Sequence, residues 1–177
     1  MTKFFSLLIG GVVLLALSAC GTIQPPVLDS DSPQLSVMVS DSGYNSADAY
    51  SYMLYESNGP RKEAGFVTTE GSANIRAHGA DFGGIKSIEF RAENGTLTPA
   101  SGYGIKEIET SVDGNASVVT VYADMSYAMT PLEHMVTVVP NGSNEVLVTV
   151  SVNDRGGLSG NSNTTTTPEI KVVFTGK

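Results

Sequence analysis

Apolar and polar residues alternate with a period of two along most of this chain beyond residue 34. In "LSVMVS" Leu35, Val37 and Val39 share one face; in "KSIEFRAE" Ile88, Phe90 and Ala92 oppose Ser87, Glu89, Arg91 and Glu93. "EVLVTVSVND" sets Val146, Val148, Val150 and Val152 against Leu147, Thr149, Ser151 and Asn153, and "EIKVVF" repeats the pattern with Ile170, Val172 and Phe174. Successive side chains of a strand point to opposite faces, so this alternation predicts strands with one buried face. Further strands are expected at 66–69, 72–79, 105–112, 117–124 and 135–139, with "AYSYMLYE" as another. Turn chemistry separates them: Asn94-Gly95, Asp113-Gly114-Asn115, Pro140-Asn141-Gly142 and Arg155-Gly156-Gly157. No window sustains an amphipathic helical spacing. Eight or so short strands at this spacing predict an all-β sandwich or barrel.

The N-terminus follows a different rule. Sixteen uncharged residues, Phe4 to Ala19, follow the lone cation Lys3. A spanning helix needs about 20 apolar residues, whereas a cationic start, a short apolar run and small residues before a cut site mark a secretory signal. The run ends in Leu17-Ser18-Ala19-Cys20, and Cys20 is the only cysteine of the chain. These four residues resemble the lipobox of bacterial lipoprotein precursors. The resemblance implies cleavage of a 1–19 signal peptide and a thioether-linked diacylglycerol on Cys20, with a further acyl chain (palmitate or similar) on the new amino terminus. Two or three chains anchor firmly where one does not. Gly21 stands where an aspartate would favour inner-membrane retention, so the outer membrane is expected. Residues 21–34, "GTIQPPVLDSDSPQ", contain three prolines and a polar Asp-Ser stretch. They read as a flexible tether following the lipidated Cys20, with the globular domain at 35–177.

Two stretches lean toward the sandwich. "NIRAHGADFGGIKSIEF" and "VLVTVSVNDRGGLSGNS" each run strand, aspartate, glycine pair and restart. They resemble the B–C and F–G segments of bacterial immunoglobulin-like and cadherin-like extracytoplasmic modules. The resemblance implies a single antiparallel immunoglobulin-like sandwich of about seven to nine strands. The Cys…Trp…Cys core of antibody domains is absent, because the chain has no tryptophan.

Charge narrows the partners. The chain carries 10 basic and 18 acidic residues, a formal charge of −8. Signal cleavage removes one of the cations. Nucleic-acid recognition needs clustered Lys and Arg, and an anionic lipid surface attracts basic residues, so neither is an expected partner.

Four constellations carry candidate chemistry. In an immunoglobulin-like sandwich the chain entry and the B–C and F–G loops meet at one pole, which would gather Asp29, Asp31, Asp81 and Asp154. Calcium takes six to eight hard oxygens from such loops; the competing reading is Asx turns before glycine and a solvated tether. "MSYAMTPLEHM" places Met125, Met129, His134 and Met135 within eleven residues; this soft set suits Cu(I), or else fills gaps in the core. The segment 41–65 interrupts the strand pattern and carries Tyr44, Tyr50, Tyr52 and Tyr55, four of the seven tyrosines. Tyrosines supply broad contact for a partner protein or a sugar ring, or cover a sheet edge. Glu107 and Glu109 share a strand face, but no nucleophile elbow, zincin or phosphate-loop motif occurs. The expectation is therefore not an enzyme and no cofactor, but an envelope lipoprotein that binds a protein partner. The alternatives are a surface-exposed carbohydrate-binding or adhesive module and a calcium- or copper-binding domain. "NSNTTTT", 161–167, is expected to be a flexible loop.

Overall fold

A computed structural model describes residues 31–41, 52–102, 104–124, 131–156 and 161–176. Their secondary structure is entirely strand: β1 (Gln34–Asp41), β2 (Tyr52–Glu56), β3 (Gly65–Thr68), β4 (Ala73–Ala80), β5 (Ile85–Glu93), β6 (Gly95–Pro99), β7 (Ile105–Asp113), β8 (Ala116–Ala123), β9 (Leu132–Pro140), β10 (Glu145–Asp154), β11 (Thr164–Thr166) and β12 (Ile170–Phe174). The smaller sheet has the order β2-β1-β4-β9-β6, and the larger β3-β12-β10-β5-β8-β7 with β11 on β10.

Within this order, β1-β4-β9-β6 and β12-β10-β5 reproduce the A-B-E-D and G-F-C sheets of an immunoglobulin sandwich, in the same chain order. The two stretches singled out by resemblance fall on β4–β5 and on β10 with its following loop, which are the B–C and F–G segments. The described strands number twelve rather than seven to nine. The surplus lies outside the seven shared strands: β2 and β3 between A and B, the β7–β8 hairpin between D and E, and β11 between F and G. All ladders are antiparallel except β3 on β12, where the chain has crossed from one sheet's edge to the other's.

The period-two pattern decides which faces meet. Val146, Val148, Val150 and Val152 of β10 are fully buried, as are Ile88, Phe90 and Ala92 of β5. From the other sheet Leu35, Val37 and Val39, Ile75 and Ala77, and Val136 and Val138 close the same core. Burial of this kind, at roughly 25 cal/mol per Å² of apolar surface, is the main force holding such a domain. It does so without a disulfide.

Two elements depart from expectation. "NSNTTTT" is not a loop throughout, because Thr164–Thr166 pair with Ser151–Asn153. The threonine hydroxyls supply the reason: Thr166 shares a hydrogen bond with Ser151 at 2.8 Å, and Thr165 donates to the Pro33 carbonyl at 2.6 Å. β6 follows β5 after Asn94 alone, which takes φ 62°. One left-handed residue, at the expected Asn94-Gly95 turn, thus swings the chain from one sheet to the other into a strand the pattern did not show.

Glycine marks where the sheets approach closest. A Cβ on Gly79 would stand 2.6 Å from Cγ2 of Val152, and one on Gly95 2.7 Å from Cγ1 of Val146 and 3.2 Å from the Val139 carbonyl oxygen. Both valines are fully buried and branched, so neither yields easily. Gly79→Ala and Gly95→Ala are each expected to lower unfolding stability by about 1–3 kcal/mol through overpacking. Urea melts should show this against Gly71→Ala, where the added atom meets nothing within 4 Å.

Candidate functional site

Three surface features arise where strands end or sheets stop. The first is the pole formed by the chain entry, the β4–β5 loop and the end of β10. The Asp81 carboxylate accepts from Gly83 N at 2.8 Å, the Asx geometry of a tight turn. Asp31 and Asp81 line one cleft of about 410 Å³ with Ser32, Gln34, Asn58 and Phe82. A second cleft of about 280 Å³ shares Gln34, Asn58 and Ala80 with it and continues past Ser57, Glu56 and His78. Phe82 is 64% exposed beside this polar trough.

Asp154 behaves differently. It continues the inward series of β10 by two residues from Val152, so its carboxylate is drawn into the sandwich and fully buried. Its Oδ1 accepts from Asn163 N at 2.8 Å, and Asn163 Nδ2 donates to the Asp31 carbonyl at 3.2 Å. Its Oδ2 has no hydrogen-bond partner among the described residues. The pole therefore gathers Asp31 and Asp81 at one cleft and links Asp154 to Asp31 through Asn163. Among the described residues, no three acidic or histidine side chains form a group able to hold a metal ion. Asp29 lies outside the described residues, as does Cys20.

The second feature is the seam between β3 and the start of β2, whose outer side further along pairs with Arg61–Glu63. Tyr52 is 60% exposed and its ring meets Phe66 at 5.8 Å between centroids, tilted 44°. Val67 is 64% exposed beside them. With Leu54, Asp41 and Glu63 they line a groove of about 310 Å³. The Thr68 hydroxyl donates to the Asp41 carboxylate and ties the two sheet edges together below it. Tyr55, by contrast, is 7% exposed, a core residue whose ring carries Lys62 Nζ 5.2 Å from its centroid. Tyr44 and Tyr50 lie outside the described residues. Phe66 and Val67 fall in the strand expected at 66–69, but nothing in that stretch marks it as an edge beside Tyr52; only the packing of the sheets does. The signal for Phe82 was legible: an aromatic among turn glycines has no core to enter.

The third feature is the Met/His segment. Neighbours on a strand face opposite ways, and β9 separates His134 from Met135 accordingly. His134 is buried against Phe90, at 6.3 Å between ring centroids. Met135 is half-buried on the outer face, opposite Arg76, which is itself opposite Met38. These two side chains therefore cannot share an ion from one side of β9, and a guanidinium adjoins the thioether. Met125 and Met129 lie outside the described residues. Of the paired glutamates, Glu109 accepts from the Tyr122 hydroxyl at 3.0 Å, and Glu107 lies on the same face.

No family model matches the sequence, and no curated protein aligns with it. Among solved structures, a cohesin module from a Clostridium perfringens family 33 glycoside hydrolase superposes with a TM-score of 0.42 at 11% identity, over 64% of this chain and 93% of that one. The Bacillus cereus major pilin subunit BcpA gives 0.40 at 14% identity, over 82% of this chain and 41% of its own length. A non-cellulosomal cohesin from the hyperthermophilic archaeon Archaeoglobus fulgidus gives 0.36 at 12%, over 63% and 86%. It is the strand order, not these likenesses, that makes the chain an immunoglobulin-type sandwich.

Burial holds the His134 imidazole below its ordinary pKa, and its Nε2 has no partner among the described residues. The unfolded chain takes up this proton near pH 6.5, while the folded chain excludes it until lower pH. Stability is thus full above about pH 6.5 and falls as pH drops from there toward the folded value. The unfolding free energy of wild type minus that of His134→Leu should fall as pH is lowered from 7.5 to 5; a value flat across that range would mean the imidazole is not excluded from protonation.

Proposed function

We propose that this protein is a lipid-anchored, noncatalytic interaction module of the bacterial cell envelope that grips a protein partner at the seam between its sheets. The observation that carries this is the pair of exposed residues Tyr52 and Val67 beside a groove that bridges both sheets, with the Tyr52 ring backed by the buried Phe66. An exposed tyrosine gives broad amphipathic contact at low entropic cost, as a recognition surface requires. The polar rim of Asp41 and Glu63 adds orientation. Anchorage belongs to the same proposal: acyl chains on Cys20 hold the domain to the outer membrane through the proline-rich tether.

A second reading has its own observation. Phe82 projects beside a trough lined by Asp31, Asp81, Gln34 and Asn58, an aromatic platform flanked by hydrogen-bonding groups. That combination suits a sugar ring, and places an adhesive function at the pole rather than the seam.

One experiment separates the two. Benzoylphenylalanine placed at position 52 in living cells should give a discrete protein adduct on illumination, and the adduct should disappear with Val67→Asp. Absence of any adduct, with glycan-array binding that is lost in Phe82→Ala, would replace the protein partner with a glycan. For the anchor, Cys20→Ala should move the protein from the membrane fraction to the soluble fraction and abolish palmitate labelling. Continued membrane retention without label would overturn the lipid attachment.

A further inference from the structure

The larger sheet outgrows the smaller one at its β7 end. β7 is the last strand there and pairs only with β8 among the described residues. Below it the smaller sheet stops at β6, whose Leu97 N donates to Ser117 Oγ of β8 at 3.1 Å, so β6 lies under β8 and not under β7. The overhanging strand is exposed along nearly its whole length, and only Ile105 and Ile108 are half-covered.

Its two faces differ in chemistry. Ile108 and Thr110 stand opposite the buried Val121 and Val119, so they and Val112 face the inner side, where Val112 is left 77% exposed. Glu107, Glu109 and Asp113 face the outer side, level with Tyr122, Thr120 and Ala116. One strand further in, Glu89 lies opposite Thr120 and Glu93 opposite Ala116. The nearby Arg91 is tied to Asp113 at 2.6 Å. Lys106 sits in the bulge between Ile105 and Glu107, at one end of the edge. The Tyr122 hydroxyl registers the surrounding charge: its pKa is raised first by the hydrogen bond to Glu109, then by burial, and then by Glu109, Glu107 and Glu89.

An open edge offers a row of backbone donors and acceptors to an added strand. A second copy of this chain does not fit it. Antiparallel self-pairing that keeps the faces matched and is centred on Ile108, Glu109, Thr110 or Ser111 always sets acid against acid. The clashes are Glu107 on Glu109, Glu109 on itself, Glu107 on Asp113, and Glu109 on Asp113, and directly opposed like charges are destabilising. The same charges select the opposite partner.

We propose that the edge of β7 from Glu107 to Asp113 is a strand-addition site for an extended segment of a partner protein that alternates basic with β-branched apolar residues. The basic residues lie over Glu107, Glu109 and Asp113, and the apolar ones continue the inner row of Ile108 and Val112. The bulge at Lys106 and the turn at Gly114 bound the site at about seven residues, roughly 24 Å of strand. This inference rests on the interaction-module reading and adds to it a second surface with a defined ligand chemistry.

The test uses the full chain purified in detergent and a fluorescent nine-residue peptide of alternating lysine and valine, read by anisotropy at low salt. Saturable binding is expected, at least tenfold weaker when alternate peptide amides are N-methylated, and weakened by salt. Glu107→Lys with Glu109→Lys should lose this peptide and gain one of alternating glutamate and valine. Both positions are exposed, so the fold tolerates the change. Equal binding of the N-methylated peptide, or unchanged binding by the double variant, overturns strand addition. If the lysine peptide fails while the adduct at position 52 persists, the edge proposal falls and the interaction-module reading stands.

Discussion

The fold depends on one constraint: every strand of the two central layers must present one apolar face to the opposite sheet. Without a disulfide, and with no helix among the described residues, cohesion comes from interleaved rows such as Val146–Val152 of β10 against Leu35–Val39 of β1 and Ile75–Ala77 of β4. Because the period of a strand is two, a slip of one residue would turn a whole row outward. The same rule carries polar residues inward. Asp154 and His134 are buried because they occupy inward positions on β10 and β9, and each retains a buried atom without a hydrogen-bond partner among the described residues. Buried polar atoms of this kind are costly, which makes them stability-sensitive points in an otherwise apolar core.

Where the rows stop, the surface becomes interesting. The two sheets are unequal in width and offset, so their edges do not coincide. On one side β2 and β3 end at the same seam, where Tyr52 and Val67 remain exposed while Phe66 closes the core behind them. On the other side β7 projects past β6, leaving Val112 of its inner row exposed and Ile105 and Ile108 half-covered. Edge strands are managed in natural proteins by shortness, bulges and charge. β2 and β3 are short; β7 is long, but bulged at one end and acidic on its outer face. Each of these features disfavours self-pairing along its edge.

The pole shows how turn chemistry and ligand chemistry share residues. Asp81 closes its own loop by accepting from Gly83 N, and Asn163 joins Asp154 to the entering chain at Asp31. Hydrogen bonding of this sort fixes the loops around the two joined clefts. It holds the Phe82 ring beside a polar trough rather than letting it fold back onto the core.

Much of the sandwich was legible in the residues. The alternation in β1, β5, β10 and β12, and the turn pairs between strands, set the class and most of the elements, because each is a local consequence of strand geometry and left-handed turn positions. Short elements were not legible: β6 and β11 hold five and three residues, and β11 exists only because its threonines find Ser151, Asn153 and Pro33 across the fold. Site residues divided the same way. Tyr52 could be suspected from composition, but only the packing of the two sheets distinguished it, at the open seam, from Tyr55 in the core three residues away. Only tertiary structure separated His134 from Met135, buried Asp154, and left β7 without a strand beneath it among the described residues. The sequence by itself determined which face of each strand is apolar, since that is written in adjacent residues. Which strands become neighbours, and therefore which edges and faces stay uncovered, depended on contacts between segments far apart in the chain.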